Sequence, residues 1–256
     1  NLGKDILAGL IIMAVSIPIS MGYAQISGIP AVYGLYGSVF PILLFALFST
    51  SRQFIFGVDA APAAIVGGAL STLGIAAESE AAMDYVPAIA LFAGLWLFIF
   101  FLLHADKIVD FISTPVMGGF ISGIAVTIIL MQIPKLMGSP AGSGELLELA
   151  EHIFAAAKNI SWLSLFMGLG ALVLIRLFKK LAPKFPMAIV IMALGVFSTV
   201  VFHVDEKGVV LLQSVERGLP SLVIPDFGNI DLTQAAGRGL MVAVVIMAEP
   251  LLAENT

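Results

Sequence analysis

The sequence predicts an all-α integral membrane protein, and two observations predict it: the composition and the long charge-free runs. Hydrophobic residues make up 60% of the 256 residues and charged residues 11%, and the mean hydropathy is +1.08. Soluble domains hold roughly 45–50% apolar and about 25% charged residues, so this chain has too few polar side chains to cover a soluble fold. Several charge-free runs also reach the roughly 20 residues that a bilayer-spanning helix needs.

The same composition excludes other classes of protein. The twelve Lys and Arg residues are scattered and the formal net charge is −5, so the basic face typical of nucleic-acid-binding proteins is missing. The chain contains no cysteine, which excludes disulfide frameworks, thiolate metal sites and thiol nucleophiles. Its histidines lack metal-ligand spacing, and no phosphate-binding loop or metalloprotease motif occurs. We therefore expect neither an enzyme nor a bound cofactor or metal.

About eight hydrophobic helices can be placed in order along the chain. The first charge-free run, Ile6 to Ser51, is long enough for two spanning helices, and Gly28-Ile29-Pro30 marks the turn between them. The next apolar stretch, Ala60 to Leu73, falls short of the roughly 30 Å hydrocarbon core at about 1.5 Å per residue, so it is predicted to reach only partway. Further helices are predicted at Tyr85 to His104, Phe111 to Pro134, Ile160 to Ile175, Pro186 to Phe202 and Leu232 to Thr256.

The distribution of Lys and Arg predicts the orientation, because cytoplasmic loops carry an excess of both. With Lys4 inside, alternate crossings also place Arg52, Lys107 and the basic segment 176–184 inside. The acidic segments 78–84, 145–151 and 205–206 then fall in external loops. The segment 209–231 is too polar and too rich in Pro and Gly to span, and is predicted as an external loop whose first four residues form a short strand.

The short third stretch begins with an acid and a proline, in Gly57-Val58-Asp59-Ala60-Ala61-Pro62. Asp is a preferred N-cap residue, so Asp59 is predicted to satisfy free N–H groups of a helix that begins at Ala60. A half-length helix that begins inside the membrane also directs free N–H groups and a positive dipole end at the bilayer centre, which favours an anion. The small Ala60, Ala61 and Ala63 would let an anion approach the backbone. Because the Asp59 carboxylate competes for the same positive potential, we expect its protonation to strengthen anion binding.

Pro18 interrupts the first helix, within Ile17-Pro18-Ile19-Ser20-Met21-Gly22-Tyr23-Ala24. Proline removes a backbone hydrogen bond, and such breaks are tolerated in membranes where they face protein or water. Ser20 and Tyr23 stand three residues apart and therefore share a face. A helix that is kinked and only packs, with the Ser20 hydroxyl hydrogen-bonded, explains the same pattern. A role in substrate binding and a role in packing therefore both stay open.

Two acids, Glu249 and Glu254, fall in the last predicted helix beside Pro250. An ionisable residue at membrane depth is costly and indicates a function, here proton or cation coupling or a polar contact with substrate. Five residues of separation place the two carboxylates about 140° apart on a helix. Glu249 lies deeper and is the favoured residue for coupling, whereas a solvated helix end is the alternative for Glu254.

Pro18 and Pro250 also align the first helix with the eighth, each an apolar span with a proline at a similar depth. One helix enters the membrane from inside and the other from outside, which is typical of an inverted repeat. We therefore expect residues 1–231 to form the first repeat with its external loop, and residues 232–256 to be the first helix of a second repeat. Since the first residue is not Met, the chain is expected to begin within a longer protein.

Ordered motifs at fitting intervals cover most of the chain. They are Pro18 to Ala24, Ser27-Gly28-Ile29-Pro30, Val32-Tyr33-Gly34-Leu35-Tyr36 through Pro41 to Thr50-Ser51-Arg52, Ile112-Ser113-Thr114-Pro115-Val116 with Gly119-Phe120 and Gln132, and Gly218-Leu219-Pro220 followed by Ile224-Pro225. Together these motifs resemble the sulfate permease (SulP) family, relatives of prestin and pendrin. The resemblance implies seven-plus-seven inverted-repeat helices, a core that moves against a gate, usually a following cytoplasmic STAS domain, and a homodimer of the full-length protein.

In that family, anions bind between the first helix and the facing ends of half-helices three and ten, and the tenth helix is absent from this sequence. The residues that match, or border on, these positions are the candidate substrate-binding residues: Ile19, Ser20, Tyr23, Asp59, Ala60, Ala61, Pro62 and Ala63. The sequence departs from the family pattern at Ile19, where Gln is frequent, at Val58, where Pro is usual, and at Ser49, where Gly is usual. Ile19 removes a side-chain donor that could contact an oxyanion, so the departures bear on substrate identity.

The predicted function is the carriage of a small anion across the cell membrane by alternating access, with substrate held near the midplane. Sulfate, bicarbonate, chloride and short carboxylates remain open as substrates, and H⁺ or Na⁺ as the coupling ion. Alternatives are a proton symporter of nucleobases with the same fold, an anion channel or motor-like sensor, and a membrane scaffold whose polar residues only pack. The expected partners are the anion, the coupling ion and membrane lipid, and no nucleic acid.

Overall fold

The structure, a computed structural model, is all-helical over the residues that it describes: 2–49, 57–105, 114–142, 144, 146–181, 187–212, 218 and 225–254. Within these ranges, in chain order, the α-helices are α1 (Leu2–Ile26), α2 (Ala31–Phe48), α3 (Ala60–Thr72), α4 (Glu80–Leu102), α5 (Thr114–Leu136), α6 (Leu146–Lys158), α7 (Trp162–Leu181), α8 (Met187–Phe202) and α9 (Leu232–Glu254). A short 3₁₀ turn, Phe227–Asn229, precedes α9. The predicted all-α class is confirmed.

Five of the described helices are long and apolar enough to cross a membrane. These spans are Ala8–Ile26, Ala31–Phe48, Glu80–Leu102, Gly118–Leu136 and Trp162–Leu181. The helices α3 and α8 and the Leu232–Ala248 part of α9 are apolar but shorter. The short length predicted for α3 is confirmed, because its 13 residues reach only about 20 Å of a roughly 30 Å hydrocarbon core.

The helix α6 contains Glu148 and Glu151, so the prediction of a loop at these two residues was wrong, while Glu145 lies outside the described residues. Its apolar residues recur three and four positions apart, and Leu149 and Ala156 are buried, with Leu149 packed against Met131 of α5. A segment of this kind folds as an amphipathic helix along a surface. Because it carries several charges, a search for charge-free spans does not detect it.

The short strand predicted at 209–212 is also wrong. These four residues are irregular, and the described ranges contain no strand. A β-segment needs neighbouring strands to satisfy its backbone groups, and the helices that surround this part of the chain offer none.

Local capping explains several helix ends. Gly28 has φ +81°, a conformation that glycine adopts freely, and it allows the tight turn between α1 and α2. The Ser79 hydroxyl accepts a hydrogen bond from the Ala82 N–H at the start of α4, and Asp231 Oδ1 accepts bonds from the first turn of α9. Pro18 lies inside α1, which the structure assigns as one continuous helix.

The helices pack in two groups. The α3 group contains α1, α2, α3, α4 and α9, in which α3 contacts α1, α4 and α9. The α5 group contains α5, α6, α7 and α8. The two groups meet mainly where α3 packs against α5 and where α1 packs against α8, so α3 lies at the centre of the described helices.

Glycines make the closest helix crossings. An added Cβ at Gly34 of α2 would collide with the Ser20 carbonyl of α1, and one at Gly67 of α3 would collide with the Ile26 carbonyl. At Gly239 of α9 it would lie 2.7 Å from a side-chain atom of α4. Small residues at such crossings let helix backbones approach closely, which is how helices in membranes gain packing energy.

Gly67 and Gly68 offer a matched pair of substitutions on α3. Gly67→Ala places a methyl group against the Ile26 carbonyl and is expected to destabilise the full-length protein by about 1–3 kcal/mol, the usual effect of overpacking. Gly68 faces open space, so Gly68→Ala is expected to stabilise by about 0.5–1 kcal/mol through lower backbone entropy loss. Thermal unfolding in detergent measures both variants, and equal stability would contradict the close crossing.

Candidate functional site

The short helix α3 is surrounded by protein over most of its length. On one side Val66 and Ala69 belong to a buried cluster with Ala88, Ile89 and Ala243 of α4 and α9. On the other side, the apolar cluster formed by Ile26, Met131 and Leu149 is packed against Tyr23, Ala63 and Ala64. The beginning of α3 and the middle of α1 therefore contact the same group of side chains.

Two observations indicate the depth at which α3 begins. Gly67 lies against Ile26, and Ala63 and Tyr23, one turn earlier on each helix, pack against one cluster, so α3 and α1 run in the same direction. At equal rise per residue, Ala60 is then about level with Ile19. An added Cβ at Gly37, in the seventh position of α2, would lie 3.5 Å from the Val58 side chain. The first turn of α3 thus lies beside the interior parts of α1 and α2, whose apolar spans are 19 and 18 residues long.

Asp59 occupies the N-cap position of α3, as predicted, with φ −128° and ψ 147°. Its side chain makes no capping hydrogen bond, so the predicted role of the carboxylate in satisfying helix N–H groups is wrong. Asp59 is exposed, whereas Ala61 is buried and Ala60, Pro62 and Ala63 are partly buried. The carboxylate therefore stands in front of the positive end of the helix dipole without neutralising individual N–H groups.

The residues of the α1 motif have different surroundings. Tyr23 is half-buried near the start of α3 and lies within electrostatic range of Asp59. Ser20 is fully buried, and its hydroxyl donates to the Ile17 carbonyl at 3.0 Å within its own helix, which is the packing alternative raised by the sequence. Ile19 is exposed. The structure thus brings Tyr23 together with the start of α3, while the Ser20 hydroxyl is used inside α1.

The two acids predicted to couple an ion lie on α9. The described side chains of that helix end at Ala248, so the side chains of Glu249 and Glu254 lie outside the described residues. What is described of α9 is its packing against α3 and α4, together with a hydrogen bond from the Arg238 guanidinium to the Thr72 hydroxyl at 3.1 Å.

Polar contacts join the two helix groups at the ends of α1, α3 and α5. The Lys135 ammonium of α5 donates to Gln25 Oε1 of α1 at 2.7 Å, and the Ser71 hydroxyl of α3 donates to the Glu148 carboxylate of α6 at 2.9 Å. We call this the outer end, because the distribution of Lys and Arg predicts it to be external. No local sequence pattern predicts these contacts, although Lys135 stands out as a basic residue on the predicted external side.

A small cavity of about 40 Å³ lies beside these contacts, and Gln25, Gly28, Gly67, Ser71 and Gly142 are among its lining residues. It borders the second half of α3 and not the first turn, where the sequence placed the anion. The described helices therefore offer a pocket on the external side of the predicted site.

Apolar spans that pack around a short central helix define an integral, multi-pass membrane protein. A family model described as the Sulfate permease family matches residues 2–255. The chain belongs to the sulfate permease family, as the ordered motifs indicated.

Relatives and solved structures agree with this assignment. The chain is 25% identical over 248 residues to a probable sulfate transporter of Mycobacterium tuberculosis, covering 97% of this chain and 44% of the relative. It is 30% identical over 268 residues to the chloroplastic sulfate transporter 4.1 of Arabidopsis thaliana, covering 98% and 38%. The chain thus spans less than half the length of these relatives, which are named as transporters and not as enzymes.

Two solved structures show the same fold. The transmembrane domain of a cyanobacterium bicarbonate transporter, BicA, matches with a TM-score of 0.77 at 20% identity, covering 96% of this chain and 63% of that chain. The murine Solute Carrier 26 family member A9 anion transporter, in its inward-facing state, matches with a TM-score of 0.78 at 18% identity, covering 98% and 46%. The likeness extends over nearly all of the chain.

The absent cap bond at Asp59 predicts a difference between two helix starts. Asp59→Ala is expected to change the free energy of unfolding by less than about 0.5 kcal/mol, because no side-chain capping bond is lost. Ser79→Ala removes the hydroxyl that caps α4 and is expected to cost about 1 kcal/mol. Thermal unfolding of the full-length protein in detergent measures both changes. A cost at Asp59 as large as that at Ser79 would contradict the geometry of the α3 start.

Proposed function

We propose that the full-length protein containing this chain is a secondary carrier that moves a small inorganic or organic anion across the membrane by alternating access. Membership of the sulfate permease family supports the substrate class. Relatives named as sulfate transporters and folds shared with proteins named as bicarbonate and anion transporters support it further. Sulfate, bicarbonate, chloride and short carboxylates are the substrates to be tested.

The observation that carries the proposal is the start of α3. A helix of 13 residues cannot cross the bilayer, and its first turn lies beside the interior parts of α1 and α2. Such a helix directs free N–H groups and a positive dipole end toward the middle of the membrane, where an anion gains most from them. The small residues Ala60, Ala61 and Ala63 leave the backbone accessible, and Tyr23 provides an aromatic wall with a hydroxyl.

In this proposal the residues that contact substrate are Ile19, Ser20, Tyr23 and the segment from Asp59 to Ala63, with Tyr23 and the α3 backbone as the principal contacts. The buried Ser20 supports the shape of α1 more directly than it offers a donor, since its hydroxyl is bonded to Ile17. Glu249 and Glu254 are the proposed sites of H⁺ or Na⁺ coupling, because acids on a membrane helix are costly unless they serve a function.

The proposed organisation is an inverted repeat. Residues 1–231 form the first repeat with its external loop, and residues 232–256 begin the second. Two features support this division: α1 and α9 each carry one proline within an apolar helix, and both pack against α3. In the proposed carrier, the α3 group and the α5 group are the two bodies that move relative to each other.

A transport assay tests the function. The full-length protein, reconstituted in liposomes, is expected to take up at least one of radiolabelled sulfate, bicarbonate, chloride or a short carboxylate at about pH 6 or 7.5, the range in which a coupling histidine, or a carboxylate whose pKa is raised by burial, titrates. Uptake of labelled uracil without anion uptake would indicate the nucleobase symporter instead. Anion currents without coupled counter-flux would indicate a channel. Uptake of none of these solutes would overturn the proposal.

The charge of Asp59 predicts a second outcome. Asp59→Asn removes a negative charge from the positive end of α3 and is expected to strengthen anion binding by about 1–2 kcal/mol, or roughly 5–30-fold in affinity. This magnitude assumes an effective dielectric constant of about 20 inside the protein. Asp5→Asn, at the exposed start of α1, is the control and is expected to leave affinity unchanged. Unchanged anion affinity in Asp59→Asn would remove Asp59 from the mechanism.

A further inference from the structure

The side-chain amide of Gln132 on α5 stands out among the described polar groups. Its nitrogen, Nε2, is buried and has no hydrogen-bond partner among the described residues. A buried amide N–H without a partner loses its hydration and gains nothing in exchange, and such groups are uncommon in folded proteins. An unpaired donor of this kind calls for a ligand, an ordered water or another conformation in which it is paired.

The position of Gln132 indicates what it faces. Ile128, Gln132 and Lys135 are four and three residues apart, so they share one face of α5. Ile128 packs against the apolar cluster that also contacts Tyr23 and Ala63. Lys135 bonds to Gln25 of α1. The face that carries Gln132 is thus turned toward the boundary between the two helix groups, one turn deeper than Lys135.

Lys135 is the second donor on this face. It is half-buried in the last turn of α5, and its ammonium donates to the neutral Gln25 amide and not to a carboxylate. An ammonium has three N–H donors, and only one of them is used in this bond. Glu78 lies within electrostatic range of Lys135, and Glu148 is bonded to Ser71 at the same end, so acidic groups share the outer end with the Lys135 ammonium.

The outer cavity is lined by residues that bond to the charged groups at this end, and not by Lys135 or Gln132 themselves. Gln25, the partner of Lys135, and Ser71, the partner of Glu148, both line it. Along α5, Lys135 is about 4.5 Å from the level of Gln132, and Gln132 is about 6 Å from that of Ile128, at 1.5 Å rise per residue. Hydrogen-bond donors therefore lead from the cavity toward Tyr23 and the first turns of α3.

We propose that Gln132 and Lys135 form a donor strip on α5 that contacts the transported anion between the outer cavity and the start of α3. This inference rests on the anion-carrier function proposed above and adds two specificity-determining residues from the second helix group. Lys135 attracts the anion from the external side, and Gln132 donates a hydrogen bond to it one turn deeper. The anion supplies the partner that the Gln132 amide lacks.

The test begins with the wild-type full-length protein in liposomes of known orientation. Radiolabelled sulfate, bicarbonate, chloride and a short carboxylate are assayed in turn, and the anion that is carried serves as the probe for every variant. If none of the four is carried, the donor strip falls together with the proposed function. If one is carried, the variants below test the donor strip alone.

Gln132→Leu is the decisive variant, because substrate contact predicts a loss of external affinity, whereas a packing role predicts unchanged affinity. Removing an unpaired buried donor is expected to raise the midpoint of thermal unfolding in the absence of anion. If the amide contacts the anion, the half-saturating external concentration also rises about tenfold, the loss expected for one hydrogen bond to a charged ligand. Thr127→Val removes a hydroxyl that is already bonded within α5 and is the control, with no expected change in affinity.

Lys135→Gln tests the outer donor against Lys158→Gln. Both lysines lie in the last turn of a helix at the outer end, so both lose a similar interaction with a helix dipole. Only Lys135→Gln is expected to raise the half-saturating external concentration, by about three- to tenfold, with a smaller effect at high ionic strength because salt screens the attraction. Half-saturation from the inside should stay unchanged in both variants.

Two results would overturn the proposal. One is unchanged external affinity in both Gln132→Leu and Lys135→Gln, which would make Gln132 a packing residue and Lys135 a helix-end residue. The other is an equal loss of affinity in Lys135→Gln and Lys158→Gln, which would indicate a general effect of surface charge. The measured thermal stability of each variant separates a loss of affinity from a loss of folded protein.

Discussion

The rest of the structure depends on one constraint: a backbone that stops inside the hydrocarbon must be shielded by protein. Hydrocarbon offers no partner for free N–H and C=O groups, so a helix too short to span is stable only where other helices surround its end. At 13 residues, α3 is such a helix, and α1, α4, α5 and α9 all pack against it. Its alanines and Gly67 permit this, since each small residue lets a neighbouring backbone come close.

Shielding α3 from lipid divides the molecule into two helix groups. Helices α4 and α9 cover one side of α3 through apolar contacts, which favour a permanent association. The other side faces α5, and near the outer end that boundary carries the hydrogen bonds Lys135–Gln25 and Ser71–Glu148. Polar side chains can exchange protein partners for water or for an ion at a small net change in free energy. A boundary of this kind suits two bodies that separate and rejoin in the proposed carrier.

Sequence reasoning predicted the elements set by bilayer thickness and missed those set by tertiary contact. Spanning helices have a fixed length scale, so charge-free runs located them, and the same scale identified Ala60–Thr72 as too short. The amphipathic α6 does not span the bilayer, so bilayer thickness does not set its length. Its position depends on Leu149 packing against α5. Asp59 was assigned correctly to the N-cap, but its side-chain orientation is not encoded locally. The contact between Gln25 and Lys135 joins residues 110 positions apart, beyond the reach of any local pattern.

These contacts also explain why the sequence motifs predicted only one side of the anion site. The motifs that indicated an anion site lie on α1 and α3, which belong to one helix group, and a substrate held between two moving bodies must also touch the other. In the proposed carrier the α5 face with Gln132 supplies that second surface, because it carries a buried donor with no partner among the described residues and a lysine bonded to a neutral amide. The unpaired Gln132 donor raises the free energy of this arrangement, and the Lys135 ammonium has N–H donors beyond the one bonded to Gln25. In this proposal the anion pairs with both residues, so its binding energy compensates for a polar boundary that the described helices leave partly unsatisfied.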